Sequence, residues 1–520
     1  MSTCGDFSNS LLHISFTSLL DVDNVDRYES GGALLDSMLT NLTHCQGPHV
    51  SVASTKAAEI FAGDLQLGAG RVDCKRPEAL QSDKMDRLAH MAVFGDPADR
   101  AGARALLWNL GQSIGTRPAS IHDLYLARGR GECKGFTVPA INVRMIAYDT
   151  ARAVFRAAKA RDAGAIILEI ARSEIAYTDQ RPAEYVAVMI AAALREGFQS
   201  PLFIQGDHCQ VNAKKYEANP TAEVNEVKNL IGEEIAAGFF NIDVDTSTLV
   251  DLSFPTLSSQ QRQNYERAAE ITQFIREREP EGVTVSIGAE IGEVGHKNST
   301  VEELHAFMDG YKAALDREGA VEGISKISVQ TGTSHGGVVL PDGSIAAVKL
   351  DLVALEALSK SAREKYGLGG AVQHGASTLP SNAFGNFPRI ETAEIHLATN
   401  FQNIVFDHPA LPSELRERMY RWLDANAQSE RKDGDSDEQF YYKARKKAIG
   451  PFKREMWELP ADVRHQIGAE LERTFGFLFD QLRVEGTAGL VRKFIQSPAL
   501  KYGSLTHAGD QAVDDAEAGE

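Results

Sequence analysis

The sequence contains no apolar run that approaches the length of a membrane span, and its first residues lack the basic segment and apolar core of a secretory signal. Cysteine is also scarce, with five residues scattered over 520 positions and no CxxC pair among them. An odd, scattered set of cysteines suits a reducing compartment better than a disulfide framework. We therefore expect a cytoplasmic protein that is neither bound to a membrane nor built on disulfides.

Basic residues are outnumbered by acidic ones, 54 Lys and Arg against 72 Asp and Glu, which gives a net charge of −18 and a pI near 5.3. This balance argues against nucleic acid or an anionic membrane as the main partner. A phosphorylated small molecule is not excluded, because a few basic residues and backbone amides in one pocket can overcome the global field. The hydrophobic content of 43% is that of a globular protein, and 520 residues exceed one compact domain.

A glycine-rich phosphate loop is missing after the first predicted strand, within FTVPAINVRMIAYD. That loop is usual in a doubly wound open sheet, which is the main alternative for a chain that alternates strands and helices. Eight apolar runs between Phe136 and Asn400 alternate with amphipathic helical segments, as in parallel βαβ units. Their number and total length match a (β/α)8 TIM barrel. We therefore favour the barrel over the open sheet.

The segments on either side of these eight units have different patterns. Residues 1–118 show helical spacing of apolar residues and no catalytic motif, which predicts a mostly helical N-terminal extension of unknown role. The barrel is expected over 119–410. Residues 411–503 predict a charged helical region that packs on the barrel or on a neighbouring subunit. Residues 504–520 are acidic and lack large apolar groups, which predicts a disordered tail.

Four of the apolar runs end in residues that can hold a metal ion. PLFIQGDH ends on Asp207 and His208, VTVSIGAE on Glu290, ISVQTGTSH on His335, and GGAVQHG contains His374. The carboxyl ends of barrel strands meet around one mouth, so these side chains are expected to converge. Any one histidine is more often a hydrogen-bonded structural residue, but all three occupy the same place in their βα units. Three imidazoles and one carboxylate suit Zn²⁺ or another divalent transition metal.

The neighbouring residues Asp207 and His208 point in opposite directions if the backbone is extended there. One of them is then expected to face the metal while the other acts as an acid or base beside it. The structural alternative for Asp207 is to cap the helix that follows the strand.

Small and hydroxyl-bearing residues follow the later strands, among them Gly336, Gly375, Ser377 and Thr399. Their backbone N–H groups and hydroxyls can contact phosphate oxygens, and barrel phosphate sites commonly lie after the later strands. Glycine in a βα turn is also ordinary turn chemistry, so this observation alone leaves both interpretations open.

Taken together, the motifs resemble those of the class II, metal-dependent fructose-bisphosphate aldolases over about residues 119–450. The matching segments are PAIN (139–142), GDHC (206–209), GFFNIDVDTS with Asp245 and Ser247, GAEIGEVG, TSHGG, QHGAST and FYYKARK (440–446). Each motif is short, but their order and spacing make the match specific.

The resemblance implies a role for each matched residue. The metal set would be His208, Glu290, His335 and His374, and Asp207 would be the acid or base for the hydroxyl whose oxygen becomes the aldehyde. Asn142 would contact the substrate, and Asp245 would lie beside the metal as a supporting or alternative ligand. Phosphate would be held by Gly336, Gly375, Ser377 and Thr399, with Arg445 at a phosphate of the same or a neighbouring subunit. Zn²⁺ or another divalent metal is the implied cofactor, and a monovalent cation is a further candidate.

Three segments depart from the family pattern. The last strand, TAEIHLATN, presents His396 and Ala398 where the family has Asn and Asp. The loop after Glu290 is short and offers only Glu293, His296 and Lys297 in place of an acidic pair. The second strand ends in Ala171, Arg172 and Ser173 instead of the usual Ser. Metal binding is therefore expected to be retained, while the contacts with the substrate are expected to differ.

The function predicted from these features is that of a zinc-dependent lyase acting in carbohydrate metabolism. It would cleave a phosphorylated ketose, by default fructose 1,6-bisphosphate of glycolysis, to a triose phosphate and an aldehyde. The resemblance also implies a homo-oligomer. Two alternatives stay open, namely an aldolase for another sugar phosphate such as tagatose 1,6-bisphosphate, and a non-catalytic barrel that supports a partner subunit.

Overall fold

The computed structural model describes residues 56–68, 71–292, 297–319, 321–332 and 350–503. All of them belong to one compact unit that begins at Ser51. The part before the barrel contains α1 (Lys56–Ile60), β1 (Leu65–Gly68), β2 (Arg71–Cys74), α2 (Asp83–Phe94), α3 (Pro97–Ile114), β3 (Pro118–Ala119) and α4 (His122–Gly129). The remainder of the predicted N-terminal extension and the predicted acidic tail lie outside the described residues.

Eight parallel strands of the described chain form a closed barrel. They are β4 (Val138–Asn142), β5 (Ile167–Ala171), β6 (Leu202–Gln210), β7 (Asn241–Asp245), β8 (Ser286–Glu290), β9 (Lys326–Val329), β10 (Ala371–Gln373) and β11 (Glu394–Leu397). Each strand pairs with its sequence neighbours, and β11 pairs with β4 to close the ring. The short strand β3 adds to the start of β6. The predicted (β/α)8 barrel is therefore confirmed.

Helices surround this barrel. They are α5 (Ala147–Lys159), α6 (Arg172–Thr178), α7 (Pro182–Glu196), α8 (Ala213–Ala218), α9 (Pro220–Ala237), α10 (Leu257–Gln260), α11 (Arg262–Arg276), α12 (Val301–Glu318), α13 (Leu352–Tyr366), α14 (Thr399–Asp407), α15 (Ser413–Asn426), α16 (Asp437–Ala444), α17 (Lys453–Trp457), α18 (Ala461–Leu482) and α19 (Ala488–Phe494). The long helix α18 packs against α5 and β4, and α2 and α3 pack against α7. None of the described helices has the length and apolar character that a membrane span requires.

The barrel strands are apolar because both of their faces are covered. All five residues of β4 and of β5 are buried, so the sequences of these strands are mostly apolar and do not alternate between apolar and polar residues. The surrounding helices have one apolar face, as α5 shows with Ala151, Val154 and Phe155 buried beneath a polar surface.

Side-chain caps fix the residues at which helices begin. At the start of α12, Thr300 and Glu303 form a capping box with N···O distances of 2.8 and 3.2 Å.

A buried carboxyl group lies between β6 and the helix that covers it. Glu234 of α9 accepts a hydrogen bond at Oε2 from the Cys209 thiol at 3.3 Å, and its Oε1 accepts none from the described residues. A Cβ atom at position 206 would lie 2.5 Å from Glu234 Oε2, so Gly206 leaves the space that this carboxyl occupies. Burial raises the pKa of Glu234 to about 8.

We predict that Glu234→Gln stabilises the protein more at pH 9 than at pH 5. The folded chain keeps the Glu234 proton up to about pH 8, whereas the unfolded chain releases it near its ordinary value of 4.5. The native protein therefore loses stability as the pH rises between these two values, and the neutral amide removes that loss. The gain in unfolding free energy, measured by urea denaturation across this pH range, should reach a few kcal/mol. A difference between the two proteins that stays constant with pH would contradict the prediction.

Candidate active site at the barrel mouth

A bulge near the end of β6 decides where its polar residues point. The register between β6 and β7 shifts between Gly206 and Cys209, and His208 has a φ of 45° in the left-handed region. That region is uncommon for a residue with a Cβ, and such strain is typical of functional sites. A bulge places two successive side chains on the same side of a strand. Asp207 and His208 consequently both face the mouth, with Asp207 Oδ1 lying 3.7 Å from His208 Nε2.

The predicted metal ligands converge at this mouth. His208, Glu290 and His374 each offer an atom within 4.8 Å of the others. Glu290 Oε2 lies 3.6 Å from His208 Nδ1 and 3.7 Å from His374 Nδ1, and the two imidazole rings are 4.2 Å apart. We call these three residues the metal set. His335, the fourth predicted ligand, and Gly336 lie outside the described residues, so their roles stay predictions.

The donor atoms of the metal set fit a divalent transition metal. Glu290 Oε2 is buried and accepts no hydrogen bond from the described residues, and none of their lysines or arginines forms an ion pair with it. Burial and the neighbouring Asp245 raise the pKa of Glu290 to about 8, although His208 acts in the opposite direction. Two imidazoles facing such a carboxylate are the ligand types that zinc and similar ions prefer.

Asp245 supports the metal set from the end of β7. Its Oδ2 lies 3.2 Å from His208 Nδ1, and its Oδ1 accepts hydrogen bonds from the Ser247 hydroxyl at 2.7 Å and the Ser247 N–H at 3.0 Å. Although burial opposes it, these hydrogen bonds and His208 lower the pKa of Asp245. A carboxylate held in this way fixes the orientation of the imidazole beside it, which is how metal-binding histidines are usually supported.

Beneath the metal set, the barrel interior contains an ion network that the sequence analysis missed. The Lys326 ammonium is fully buried and lies 2.6 Å from Glu394 Oε1, 2.7 Å from Gln205 Oε1 and 2.9 Å from Asp243 Oδ1. A Cβ at position 288 would lie 2.2 Å from Asp243 Oδ1, so Gly288 makes room for this network. The sequence feature that could have predicted this network is a single ionisable residue within an otherwise apolar run, such as Glu169 in ILEIA and Lys326 in KISV.

His396 connects the ion network with the metal set. Its Nε2 lies 2.7 Å from Glu394 Oε1, and its Nδ1 lies 3.1 Å from both Asp207 Oδ1 and Glu169 Oε2. The ring centroid is 4.1 Å from that of His374. Although burial opposes it, the carboxylates of Glu169 and Asp207 raise the pKa of His396 well above its usual value, so both ring nitrogens are protonated.

Two other combinations of these atoms converge closely enough to hold a metal. One consists of Asp207, Asp243, His374 and His396, and the other of Glu169, Glu394 and His396. In each of them the carboxylates are already compensated by protein cations, the Lys326 ammonium and the His396 imidazolium. A divalent ion placed there would be repelled by these neighbouring charges. In the metal set, although burial opposes it, Asp207, Asp245 and Glu290 raise the pKa of His208 well above its usual value, so a divalent ion would replace a proton on this ring.

The predicted phosphate-binding residues in the described chain lie together after β10 and β11. Ser377 Oγ accepts a hydrogen bond from the Ala398 N–H at 2.5 Å, which joins the two strand ends. Thr399 begins α14, and no side chain caps the start of that helix. Gly375 has a φ of 67°, which glycine adopts without strain. Ser377 also lines an open cavity of about 760 Å³ between this region and α18.

Asn142 and Arg445 both donate hydrogen bonds to other side chains of the protein. Asn142 is buried at the end of β4, where its Nδ2 donates to Glu174 Oε2 at 2.5 Å. The Arg445 guanidinium is buried and donates to Asp407 at 2.7 Å and to Asn403 at 2.6 Å. None of the contacts of Arg445 in the described residues is with a strand-end residue of the site. The structure therefore brings Asn142 to the mouth but does not bring Arg445 there, and the phosphate role of Arg445 stays a prediction.

Arg172, where the sequence departs from the usual serine, also donates hydrogen bonds within the protein. It donates to the carbonyl of Gln210 at 2.6 Å and to Glu223 and Glu226 at 2.8 and 3.0 Å. Its charge is neutralised at the edge of the mouth. Glu293 and His296 of the loop after β8 lie outside the described residues.

Comparison with known proteins identifies related sequences and folds. A family model described as fructose-bisphosphate aldolase class-II matches residues 130–458. Among solved structures, the chain is similar to a fructose-bisphosphate aldolase from Campylobacter jejuni, with 18% identity, a TM-score of 0.42 and coverage of 69% of this chain and 93% of that one. It is also similar to the YdjI aldolase from Escherichia coli K12, with 14% identity, a TM-score of 0.35 and coverage of 66% and 99%.

A third similar structure is the fructuronate-tagaturonate epimerase UxaE from Cohnella laeviribosi, with 13% identity, a TM-score of 0.48 and coverage of 83% of this chain and 90% of that one. No curated protein matches the chain.

We predict that Lys326→Met destabilises the protein by about 3–5 kcal/mol, because it removes the ammonium that pairs with both Asp243 and Glu394 and leaves two buried carboxylates with His396 alone. The double variant Lys326→Met/Glu394→Gln should recover a large part of this loss, since it removes one of the unpaired charges together with the ammonium. Urea denaturation at pH 7 measures both values. Equal destabilisation of the single and double variants would show that packing, and not charge, accounts for the effect.

Proposed function

Because the chain belongs to the class II fructose-bisphosphate aldolase family, we propose that it is a metal-dependent lyase that cleaves a carbon–carbon bond of a phosphorylated ketose. The products would be a triose phosphate and an aldehyde. The observation that carries this proposal is the convergence of His208, Glu290 and His374 beside Asp207 at the barrel mouth. This arrangement would provide a metal to stabilise the enediolate and a carboxylate to accept the hydroxyl proton, and a further acid would return a proton to the carbon of the triose phosphate.

The metal set, with His335 as a fourth ligand, would hold Zn²⁺ or another divalent transition metal. When bound, such an ion supplies Lewis-acid polarisation of the ketose carbonyl. Asp245 keeps the His208 ring in place through the 3.2 Å contact at Nδ1. A monovalent cation is a further candidate cofactor.

Asp207 is the group we assign to proton transfer at the substrate hydroxyl. Its carboxylate is held 3.1 Å from His396 Nδ1 and 3.7 Å from His208 Nε2, so it faces the metal set from the His396 side. A carboxylate in this position takes the hydroxyl proton as the carbon–carbon bond breaks. His396 in turn holds the Asp207 carboxylate in place, since its ring is fixed by Glu394 on the opposite nitrogen.

The phosphate of the substrate would lie after β10 and β11, against Gly375, Ser377 and Thr399. The support for this position is the uncapped start of α14, whose first backbone N–H groups and partial positive charge attract an anion. Gly336 would complete the site. Fructose 1,6-bisphosphate is the default substrate, and tagatose 1,6-bisphosphate is the alternative, because His396 replaces the asparagine expected on the last strand.

We further propose that the enzyme is cytoplasmic and forms a homo-oligomer. The scattered cysteines support a reducing compartment. Leu252 and Phe254, in the segment after β7, have 51% and 48% of their surface exposed, which supports contact with another subunit.

Removal of the metal provides the first test. The protein purified with added zinc should bind about one metal ion per chain, and treatment with EDTA should abolish cleavage of a ketose bisphosphate in a triose-phosphate-coupled assay. Restoring zinc should restore the activity. A protein that binds no metal and cleaves neither fructose nor tagatose bisphosphate would be the non-catalytic barrel instead.

The second prediction separates proton transfer from metal binding. Asp207→Asn should lower kcat by about a hundredfold or more, because the amide cannot accept the hydroxyl proton, while metal content stays unchanged. Asp245→Asn is the matched variant and should weaken metal affinity by about tenfold or more, because it loosens His208. Metal analysis and steady-state kinetics on both variants measure these effects. Full activity of Asp207→Asn would refute its assigned role.

A further inference from the structure

Arg172 is the first residue of α6, and its guanidinium donates to acceptors on two other elements of the barrel. Nη1 donates to the carbonyl of Gln210 at 2.6 Å and to Glu223 at 2.8 Å, and Nη2 donates to Glu226 at 3.0 Å. Gln210 is the last residue of β6, whereas the two glutamates belong to α9. One planar group therefore joins the start of α6 to the end of β6 and to α9.

The contact with the Gln210 carbonyl has a geometric and not an electrostatic purpose. The two carboxylates of α9 already compensate the charge of Arg172, and Glu223 is fixed in turn, since it is 1% exposed and its Oε1 also accepts from the Asn212 N–H at 2.8 Å. A hydrogen bond from a guanidinium to a carbonyl is stronger than one from a neutral donor. The carbonyl of Gln210 is therefore held at a fixed place relative to α9.

The same end of β6 is attached to β7 on its other side. The Gln210 side-chain amide donates to Asp245 Oδ2 at 2.5 Å, the Val211 N–H donates to the carbonyl of Asp245 at 2.9 Å, and the Thr248 hydroxyl donates to the carbonyl of Val211 at 2.6 Å. Asp245 Oδ2 is also the oxygen that lies 3.2 Å from His208 Nδ1. A shift of Gln210 would consequently reach the carboxylate that orients this imidazole.

The bulge of β6 lies directly before these contacts. His208 has a φ of 45°, and the regular pairing with β7 resumes only at Cys209 and Gln210. A residue with a Cβ keeps such a conformation only where the surrounding contacts fix it. If the bulge relaxed to an extended strand, Asp207 and His208 would point to opposite sides. The contacts that fix Gln210 therefore decide whether both side chains can face the mouth.

We propose that Arg172 is a positioning residue that holds the bulge of β6 in the conformation that directs Asp207 and His208 to the mouth. It acts through Gln210 and Asp245, and it contacts neither member of the pair that it positions. Its consequence for metal binding rests on the proposed function, whereas its effect on the bulge does not.

Hydrogen exchange of the metal-free, full-length protein tests the effect on the bulge. Arg172→Met should speed exchange of the Cys209–Val211 amides about tenfold or more, the effect expected from losing one hydrogen bond to a charged group. The matched control is Arg181→Met, because Arg181 also pairs with α9, through Glu233, without contacting β6 in the described residues. Arg181→Met should leave these amides at the wild-type rate. Unchanged exchange in Arg172→Met, or equal acceleration in both variants, overturns the proposal.

A conservative variant covers the case in which Arg172→Met does not fold. Arg172→Lys keeps the positive charge but has a single nitrogen, which cannot reach the Gln210 carbonyl and both carboxylates of α9 together. It should therefore accelerate exchange of the same amides to a smaller extent. Wild-type exchange in Arg172→Lys together with an unfolded Arg172→Met would show that only the charge of residue 172 is needed, and would refute the positioning role.

Cobalt binding then connects the bulge with the metal set, since the visible absorption of Co²⁺ reports the geometry of its ligands. Arg172→Met should lower Co²⁺ affinity about tenfold or more and alter this absorption, because the support of His208 is loosened, while Arg181→Met should match the wild type. Wild-type affinity and absorption in Arg172→Met would contradict the positioning role. A wild-type protein that binds no cobalt would refute the proposed function, and the exchange rates would still decide whether Arg172 holds the bulge.

Discussion

The fully buried ammonium of Lys326 allows this barrel to have a charged interior. Asp243 and Glu394 would be strongly destabilised as ions inside a ring of apolar strands, and Lys326 lies within 2.9 Å of both. Although burial opposes it, Lys326 and His396 lower the pKa of Glu394 to about 2, so that carboxyl remains ionised. Glu394 contacts His396 Nε2 at 2.7 Å, and His396 Nδ1 lies 3.1 Å from Asp207 Oδ1. Lys326, Glu394 and His396 thus form a continuous series of contacts that ends at Asp207, the proposed proton-transfer group.

The carboxylates of the mouth differ in the basic groups that they face. Asp243, Glu394, Glu169 and Asp207 are compensated by Lys326 and His396, whereas Glu290 faces only two imidazoles. Several combinations of ligand atoms converge closely enough for a divalent ion, and no lysine or arginine of the described residues pairs with Glu290, which favours the metal set. His374 and His396 have different neighbours although their rings are 4.1 Å apart, since His374 faces Glu290 and His396 faces Glu394, Glu169 and Asp207.

The sequence predicted those features that repeat along the chain or lie at strand ends. Eight alternating units predicted the barrel, and the position of His208, Glu290 and His374 at the ends of their runs predicted that they converge. The ion network was not predicted, because the direction of Glu169, Asp243 or Lys326 within a strand buried on both faces depends on register and not on pattern. The joint orientation of Asp207 and His208 was missed for a related reason, since the alternation of an extended strand fails at a bulge.

Charge placement, and not charge content, determines which anions this acidic protein can bind. Basic side chains near the mouth are paired with carboxylates, as Arg172 is with Glu223 and Glu226 and Arg144 is with Glu174. Adjacent basic residues in the sequence FYYKARK are indistinguishable by composition, yet the 3-10 turn directs Arg445 and Lys446 to different neighbours. The pairing of these cations with carboxylates, and not their number in the sequence, sets the local field that an anion at the mouth would meet. Specificity at such a site depends on which of the surrounding carboxylates leave a cation unpaired.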